Sequence, residues 1–176
     1  MTEKMFFDTD CFSSFLWVGR EDIILIKYKG RIVIPQYVYE EFCRPGVNQL
    51  RVKVDNMLAA KLLVKMDIIF GSEEAKLFRE LTKTPRNGHA VIGKGEASAL
   101  VLAKFNEGIL ASNNLRDVKK YTHKLNLKLI TTADILIDAF TDLYIDETEA
   151  NKIWTDMLKK QRKLPAASFS EYLRMI

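Results

Sequence analysis

Cysteine, histidine, proline and glycine are scarce in this chain of 176 residues, and their scarcity excludes several classes of protein. The two cysteines, Cys11 and Cys43, cannot build a disulfide framework and do not form a paired zinc motif. The two histidines cannot supply an HExxH metal site or a His-rich metal cluster. Eight glycines and four prolines are too few for a collagen-like or a disordered chain. No glycine-rich phosphate loop follows any candidate strand.

Long apolar stretches are also missing. The longest stretch without a charged residue has nine residues, 11–19, whereas a membrane-spanning helix needs about twenty. The first residues do not combine a basic region with a long apolar run, as a secretory signal would. We therefore expect no membrane segment and a cytoplasmic location, where thiols stay reduced.

The remaining composition is that of an ordinary globular domain. Hydrophobic residues make up 48% and charged residues 28% of the chain. Twenty-seven Lys and Arg against 23 Asp and Glu give a net charge of +4. This mildly basic balance permits a polyanionic partner but does not require one.

Short apolar runs alternate with longer helical patterns along the chain. The runs predict strands at 5–7, 31–34, 66–70, 108–111 and 127–130. Helical patterns lie between them, among them 47–64, the buried helix 96–103, 115–125 and 133–140, and Pro35 is expected in the first turn of a helix. This alternation predicts an α/β fold, a three-layer αβα sandwich with a central parallel sheet. We expect residues 1–145 to form this domain and residues 146–176 to form a helical C-terminal tail packed on it.

Polar residues follow three of the predicted strands. Asp8, Thr9 and Asp10 come after the first, Ser112, Asn113 and Asn114 after the fourth, and Thr131 and Thr132 after the fifth. Ligands of open parallel sheets bind outside the carboxyl ends of the strands. Oxygen ligands suit hard cations such as Mg²⁺ and Mn²⁺. The pattern therefore favours a divalent cation at this edge.

Two further acids are placed by helix geometry. Glu41 comes three residues after Val38, which puts it at the inward margin of its helix, whereas Glu40 points to solvent. Glu96 begins the buried helix, where a carboxylate costs free energy unless it is paired or metal-bound.

Each of these residues also has a purely structural interpretation. Asp8 could cap a helix, and Glu96 could serve as a partner of its helix dipole. Asn113 and Asn114 could be turn residues, and Asp117 could belong to a solvated helix face. These alternatives stay open for each residue taken alone.

The combination of motifs resembles the PIN-domain nuclease family, in particular its small prokaryotic, VapC-toxin-like members. The motifs are Phe6-Phe-Asp-Thr-Asp10, Ile34-Pro-x-x-Val-x-x-Glu41, Gly95-Glu-Ala-Ser-Ala-Leu100, Ile109-Leu-Ala-Ser-Asn-Asn114 and Ile130-Thr-Thr132. The resemblance covers residues 4–143. It implies a metal-dependent endoribonuclease that uses Mg²⁺ or Mn²⁺, and the toxin of a toxin–antitoxin pair. RNA as substrate, an antitoxin as partner and a homodimer are implied as well.

The resemblance also assigns roles by position. Asp8, Glu41 and Glu96 would bind the metal, and Ser112 would hold the attacking water or a ligand. Asn113 and Asn114 stand where the family usually has a fourth acid, so Asn114 would contribute an amide oxygen. Asp117, about one helical turn onward, would supply a further carboxylate. This departure motivates an alternative: a catalytically weak or inactive PIN scaffold that binds RNA or a protein partner.

Basic residues near the strand ends are candidates for contact with phosphates. These candidates are Lys94, Arg116, Lys119, Lys120, Arg20 and Arg44. A receiver-like phosphoacceptor domain is disfavoured because no matching lysine is evident.

Overall fold

A computed structural model describes residues 3–83 and 91–176. Five short strands form one sheet with the order β3-β2-β1-β4-β5, and every neighbouring pair is parallel. The strands are β1 (Met5–Phe7), β2 (Ile32–Pro35), β3 (Val64–Met66), β4 (Ile109–Ala111) and β5 (Lys128–Ile130). Helices flank this sheet, so the predicted α/β fold with a central parallel sheet is confirmed.

The described helices fall between the strands and after the last one. They are α1 (Thr9–Trp17), α2 (Glu21–Lys27), α3 (Gln36–Phe42), α4 (Asn48–Ala59), α5 (Glu73–Thr82), α6 (Lys94–Phe105), α7 (Leu115–Leu125), α8 (Thr132–Thr141), α9 (Glu147–Lys159) and α10 (Phe169–Met175). Within 3–83 and 91–176, no helix is both long and apolar enough to cross a membrane.

Alternation along the strands divides the core into two layers. Met5 and Phe7 of β1 point into a cluster with side chains of α1, α2, α4, α8 and α9. Phe6 points to the opposite face, into a cluster with α6 and α7. Successive side chains of a strand project to opposite faces, so three consecutive apolar residues bury both sides of the sheet. Helix α3 contacts both α1 and α6 and so bridges the layers near the strand ends.

The C-terminal helices share the first of these cores. Helix α9 packs against α1 and α8. Trp154 of α9 and Phe169 of α10 are fully buried, with ring centroids 5.9 Å apart. The Trp154 indole Nε1 donates a hydrogen bond to the Ala166 carbonyl, 2.9 Å away. The division of the chain at residue 145 stays a prediction.

Three expectations about element boundaries were wrong. The edge strand is Val64–Met66 rather than 66–70, because its partner β2 ends at Pro35, which pairs with Met66 and has no N–H to extend a ladder. The preceding helix ends at Ala59 rather than near residue 64, because the chain turns at Lys61 with φ 56°. Pro35 closes β2 and precedes α3 with extended backbone (ψ 148°) instead of occupying the first helical turn.

The strand order reverses between β1 and β4. From β1 the chain adds β2 and β3 on one side, and β4 and β5 on the other. A crevice forms at such a switch point, outside the carboxyl ends of the two strands. Asp8 follows β1 and Ser112 follows β4, so both begin at this crevice.

Candidate functional site

A cavity of about 440 Å³ lies at the switch point. It is lined by residues from the strand ends, from α3, α6 and α7, and from the C-terminal segment: Asp8, Thr9, Asp10, Ser13, Glu41, Gly93, Glu96, Asn114, Asp117 and Arg162. All five predicted metal-binding residues are in this lining. Residues that lie far apart in the sequence therefore meet in one polar cavity.

Asp8 is the most deeply placed acid of the cavity, with 1% of its surface exposed. Its Oδ1 accepts the Cys11 backbone N–H at 2.7 Å and so caps α1. Its Oδ2 is buried and has no hydrogen-bond partner. Burial raises the pKa of Asp8 from 3.8 to about 7, although the nearby Ser112 hydroxyl and the Cys11 N–H lower it. Asp8 thus caps a helix with Oδ1 and keeps Oδ2 free to coordinate a cation.

Ser112 influences the carboxylate of Asp8 from outside the cavity. The residue is fully buried and is not part of the cavity lining. Its Oγ accepts the backbone N–H of Asn114 at 3.2 Å. Because the Ser112 hydroxyl lowers the pKa of Asp8 and so favours its ionised form, this serine acts on the carboxylate rather than presenting its hydroxyl to the cavity.

Glu41 lies on the inward side of α3, as its spacing predicts. Its side chain is 23% exposed, while Glu40 faces solvent. The Thr9 hydroxyl donates to Glu41 Oε2 at 2.5 Å. On the other side, a Cβ added at Gly95 would lie only 2.8 Å from Glu41 Oε1. The absence of a side chain at Gly95 therefore lets α6 approach the Glu41 carboxylate.

Glu96 and Asp117 are bridged by an amide. Asn114 Nδ2 donates to Glu96 Oε1 at 2.5 Å and to Asp117 Oδ2 at 2.8 Å. Burial raises the pKa of Glu96, the Asn114 hydrogen bond lowers it, and the charge of Asp117 raises it. An aspartate at 114 could not donate to both neighbours, so the asparagine separates two carboxylates that would otherwise repel.

Asn113 also has a defined structural role. Its Oδ1 accepts the backbone N–H of Thr132 at 2.9 Å, which ties the end of β4 to the start of α8. Its Nδ2 donates to Asp10 Oδ2 at 3.1 Å. Asp10 in turn accepts Arg162 Nη1 at Oδ1, 3.0 Å away.

The donor set suits a hard cation, but the ligands are not gathered around one point. Across residues 3–83 and 91–176, no group of three or more His, Cys, Asp or Glu side chains is close enough to hold a metal ion as it stands. Instead, Glu41 accepts a hydrogen bond from the Thr9 hydroxyl, and Glu96 and Asp117 both accept hydrogen bonds from the Asn114 amide. The unpaired Oδ2 of Asp8 and the surrounding oxygen atoms fit Mg²⁺ or Mn²⁺ in kind.

The basic candidates are spread over several environments. Arg44 lies 3.8 Å from Glu41, and Lys94 lies over the ring of Tyr37 at 5.8 Å. Arg116 lines a second cavity beside the first. Arg20 is engaged elsewhere, with ion pairs to Asp22 and Glu149, and Lys119 and Lys120 are exposed on α7.

Five residues of the lining were not predicted as site residues: Thr9, Asp10, Ser13, Gly93 and Arg162. Thr9 and Asp10 follow Asp8 directly and share its strand end, and Ser13 lies about one helical turn further along α1. Arg162 is separated from Asp10 by 152 positions. No local pattern marks it, because its position depends on how α9 packs on α1.

The family comparison agrees with the motifs and the fold. Residues 4–176 match the family described as PIN domain (DUF3368). The match extends beyond residues 4–143, where the five motifs lie, and includes the C-terminal helices. No curated protein matches the chain. The family match covers nearly the whole chain and agrees with the five-stranded parallel sheet and the acids at its switch point. This protein therefore belongs to the PIN-domain family.

Proposed function

We propose that the protein is a metal-dependent endoribonuclease that hydrolyses RNA phosphodiester bonds with Mg²⁺ or Mn²⁺. PIN domains are generally nucleases, and the acids that carry such chemistry line one cavity here. The single observation that carries the proposal is the buried, unpartnered Oδ2 of Asp8. A buried polar atom without a partner costs free energy and commonly marks a missing ion or ligand.

Each residue has a role in this proposal. Asp8, Glu41 and Glu96 would hold the cation, with Asn114 and Asp117 as further oxygen donors. When bound, the cation supplies a Lewis acid and lowers the pKa of a coordinated water. Ser112 favours the ionised form of Asp8, and Thr9 holds Glu41 at the cavity wall.

The cation also resolves an electrostatic conflict. Two carboxylates about 4 Å apart repel by about 4 kcal/mol at an effective dielectric constant near 20. Without the cation, Asn114 donates hydrogen bonds to Glu96 and Asp117, and Thr9 donates one to Glu41. With an amide in place of a fourth acid, we expect one tight metal site rather than two, which calorimetry with Mn²⁺ would measure.

A PIN scaffold with weak or no activity is the second candidate. It is favoured by the dispersed acids, because Glu41, Glu96 and Asp117 each already accept a hydrogen bond from a side chain. Such a protein would bind RNA or a protein partner without cleaving RNA.

The finer biological role is also a proposal. We propose that the protein acts as the toxin of a toxin–antitoxin pair and that it forms a homodimer. A small antitoxin gene next to its own gene would support the first, and the mass in solution would test the second.

RNA cleavage in Mn²⁺ tests the nuclease proposal. Wild type is compared with Asp8→Asn and Glu96→Gln, which keep side-chain size and remove one charge each. Glu107→Gln, at an exposed acid between α6 and β4 and outside the cavity lining, is the matched control for loss of a negative charge. We expect activity in wild type and the control and none in the two site variants. Activity that survives both site changes would contradict the mechanism, and RNA binding without cleavage by wild type would favour the scaffold.

A further inference from the structure

We propose that Arg116 and the turn at residues 161–163 form a phosphate-binding subsite beside the acidic cavity, for the RNA nucleotide next to the scissile bond. This inference rests on RNA being the substrate. A second cavity of about 500 Å³ adjoins the first and shares Asp10, Glu96 and Asn114 with it. Its remaining lining is Asn113, Leu115, Arg116, Gln161, Arg162 and Lys163.

The turn holds Arg162 in a defined position. Helix α9 ends at Lys159, and Gln161 adopts a left-handed backbone with φ 58°. The Arg162 backbone N–H donates to the Met157 carbonyl at 3.0 Å, and Nε donates to the Lys160 carbonyl at 3.0 Å. A guanidinium that is already held by hydrogen bonds to backbone carbonyls loses little conformational freedom when it binds a ligand.

The hydrogen bonds of Arg162 leave part of the guanidinium available. Nη1 donates to Asp10 at 3.0 Å and to Ser13 at 3.5 Å. Within the described ranges, Nη2 has no hydrogen-bond acceptor. The side chain is 23% exposed, so this edge of the guanidinium can reach a ligand in the shared cavity.

Arg116 and Lys163 add two further positive charges. Both are exposed, and neither forms an ion pair with any residue in 3–83 or 91–176. Arg116 lies in the first turn of α7, two residues after Asn114, which occupies the N-cap position of that helix. The helix start and three cationic side chains thus surround one cavity, an arrangement that favours a phosphate group.

The contrast between the two cavities favours a nucleic acid over an acidic peptide. The first cavity is rich in carboxylates and would repel a peptide of Asp and Glu residues. A nucleic acid chain carries repeated phosphates, so one phosphate can meet a cation at the acids while its neighbour meets Arg116, Arg162 and Lys163. The shared walls, Asp10, Glu96 and Asn114, place both positions on one continuous path.

Binding of a short single-stranded oligoribonucleotide in the presence of Ca²⁺ tests the subsite. The full chain is compared with Arg116→Gln, Arg162→Gln and Lys163→Gln. Arg174→Gln, at an exposed arginine of α10 outside both cavities, is the matched control. Each subsite change should weaken binding about three- to tenfold and reduce the slope of log K against log salt by about 0.7, as for loss of one phosphate contact. The control should change neither.

The outcomes separate this inference from the proposed function. RNA binding with the expected losses but no cleavage in Mn²⁺ would support a phosphate subsite for bound RNA and overturn the proposed nuclease activity. Cleavage by wild type with unchanged binding in the three variants would overturn the subsite alone. If the three variants lost binding to polyglutamate as strongly as binding to RNA, the site would be a general anion site, and the proposal would be overturned.

Arg162→Gln also removes the ion pair with Asp10, so the test must distinguish phosphate binding by Arg162 from a purely structural role of that pair. Arg116 and Lys163 have no such pair, and their variants carry the test if Arg162→Gln lowers the melting temperature. In the cleavage reaction, a positioning role predicts a raised KM with kcat within about twofold for all three variants. A loss of kcat alone would contradict it.

Discussion

Replacing Asp8 by Asn should stabilise the metal-free protein, and the gain should grow with pH. Asp8 is fully buried, with its Oδ2 unpartnered and a pKa raised from 3.8 to about 7. The unfolded chain ionises near the ordinary value, so above it the folded state must either keep a proton or bury a charge. The resulting loss of stability begins near pH 4 and is complete above about pH 7.

The magnitude follows from the two pKa values. A rise from 3.8 to about 7 corresponds to about 4 kcal/mol once both states are ionised. At about pH 5 the cost is only about 2 kcal/mol, because the folded carboxyl is still protonated. Between about pH 5 and pH 8 the advantage of Asp8→Asn should therefore increase by about 2–3 kcal/mol. For a domain of this size, that is roughly 5–10 °C in Tm.

The assay is thermal unfolding in EDTA at a series of pH values, for wild type and Asp8→Asn. Asparagine is as good a helix cap as aspartate, so the cap that Asp8 provides to α1 is kept. The other titrating groups are common to both proteins and largely cancel in the difference. Mn²⁺ should raise the Tm of wild type and leave the variant nearly unchanged. A difference in Tm that does not vary between about pH 5 and pH 8 would refute the buried, unpaired state of Asp8.

Three further changes test other contacts of the site. Gly95→Ala should abolish cleavage while changing the free energy of unfolding by less than about 1 kcal/mol, because the atoms nearest to the new Cβ are side-chain ends, the Glu41 carboxylate and the Thr9 hydroxyl; a large loss of stability in urea unfolding would contradict this. Asn114→Asp should lower the Tm in EDTA and strengthen Mn²⁺ binding in calorimetry, because a third carboxylate replaces the donor shared by Glu96 and Asp117; weaker metal binding would show that the amide itself is needed. Trp154→Ala should cost about 3–5 kcal/mol in urea unfolding, since its fully buried ring joins the C-terminal helices to the main core; a cost below about 1 kcal/mol would mean that these helices pack loosely.

The sequence predicts those parts of the site that depend on periodicity. Asp8 and Asn114 follow apolar runs, and Glu41 and Glu96 are placed by helical spacing, so each could be found from its neighbours. The edge strand was misplaced because Ile69 and Phe70 are as apolar as a strand requires, yet the length of β2 decides where pairing stops. Apolar character alone does not specify which residues pair.

Contacts that depend on tertiary packing could not be predicted in this way. The approach of Gly95 to Glu41 depends on how α3 and α6 cross. The pair of Arg162 and Asp10 depends on how α9 rests on α1. Asn114 was recognised as a departure from the family pattern, but its role as a donor between two carboxylates emerges only from their positions in space.

The pair of Asp10 and Arg162 has a consequence for the order in which the protein is made. The 152 positions between them take about 8–30 s to synthesise at typical rates of translation. Strand β1 lies at the centre of the sheet, so it also waits for β4 to pair on its second edge. A nascent chain on the ribosome therefore carries Asp8 and Asp10 long before the walls of either cavity exist. The segment with Arg162 is translated after all of these acids, so a chain that stalls before it lacks one wall of both cavities.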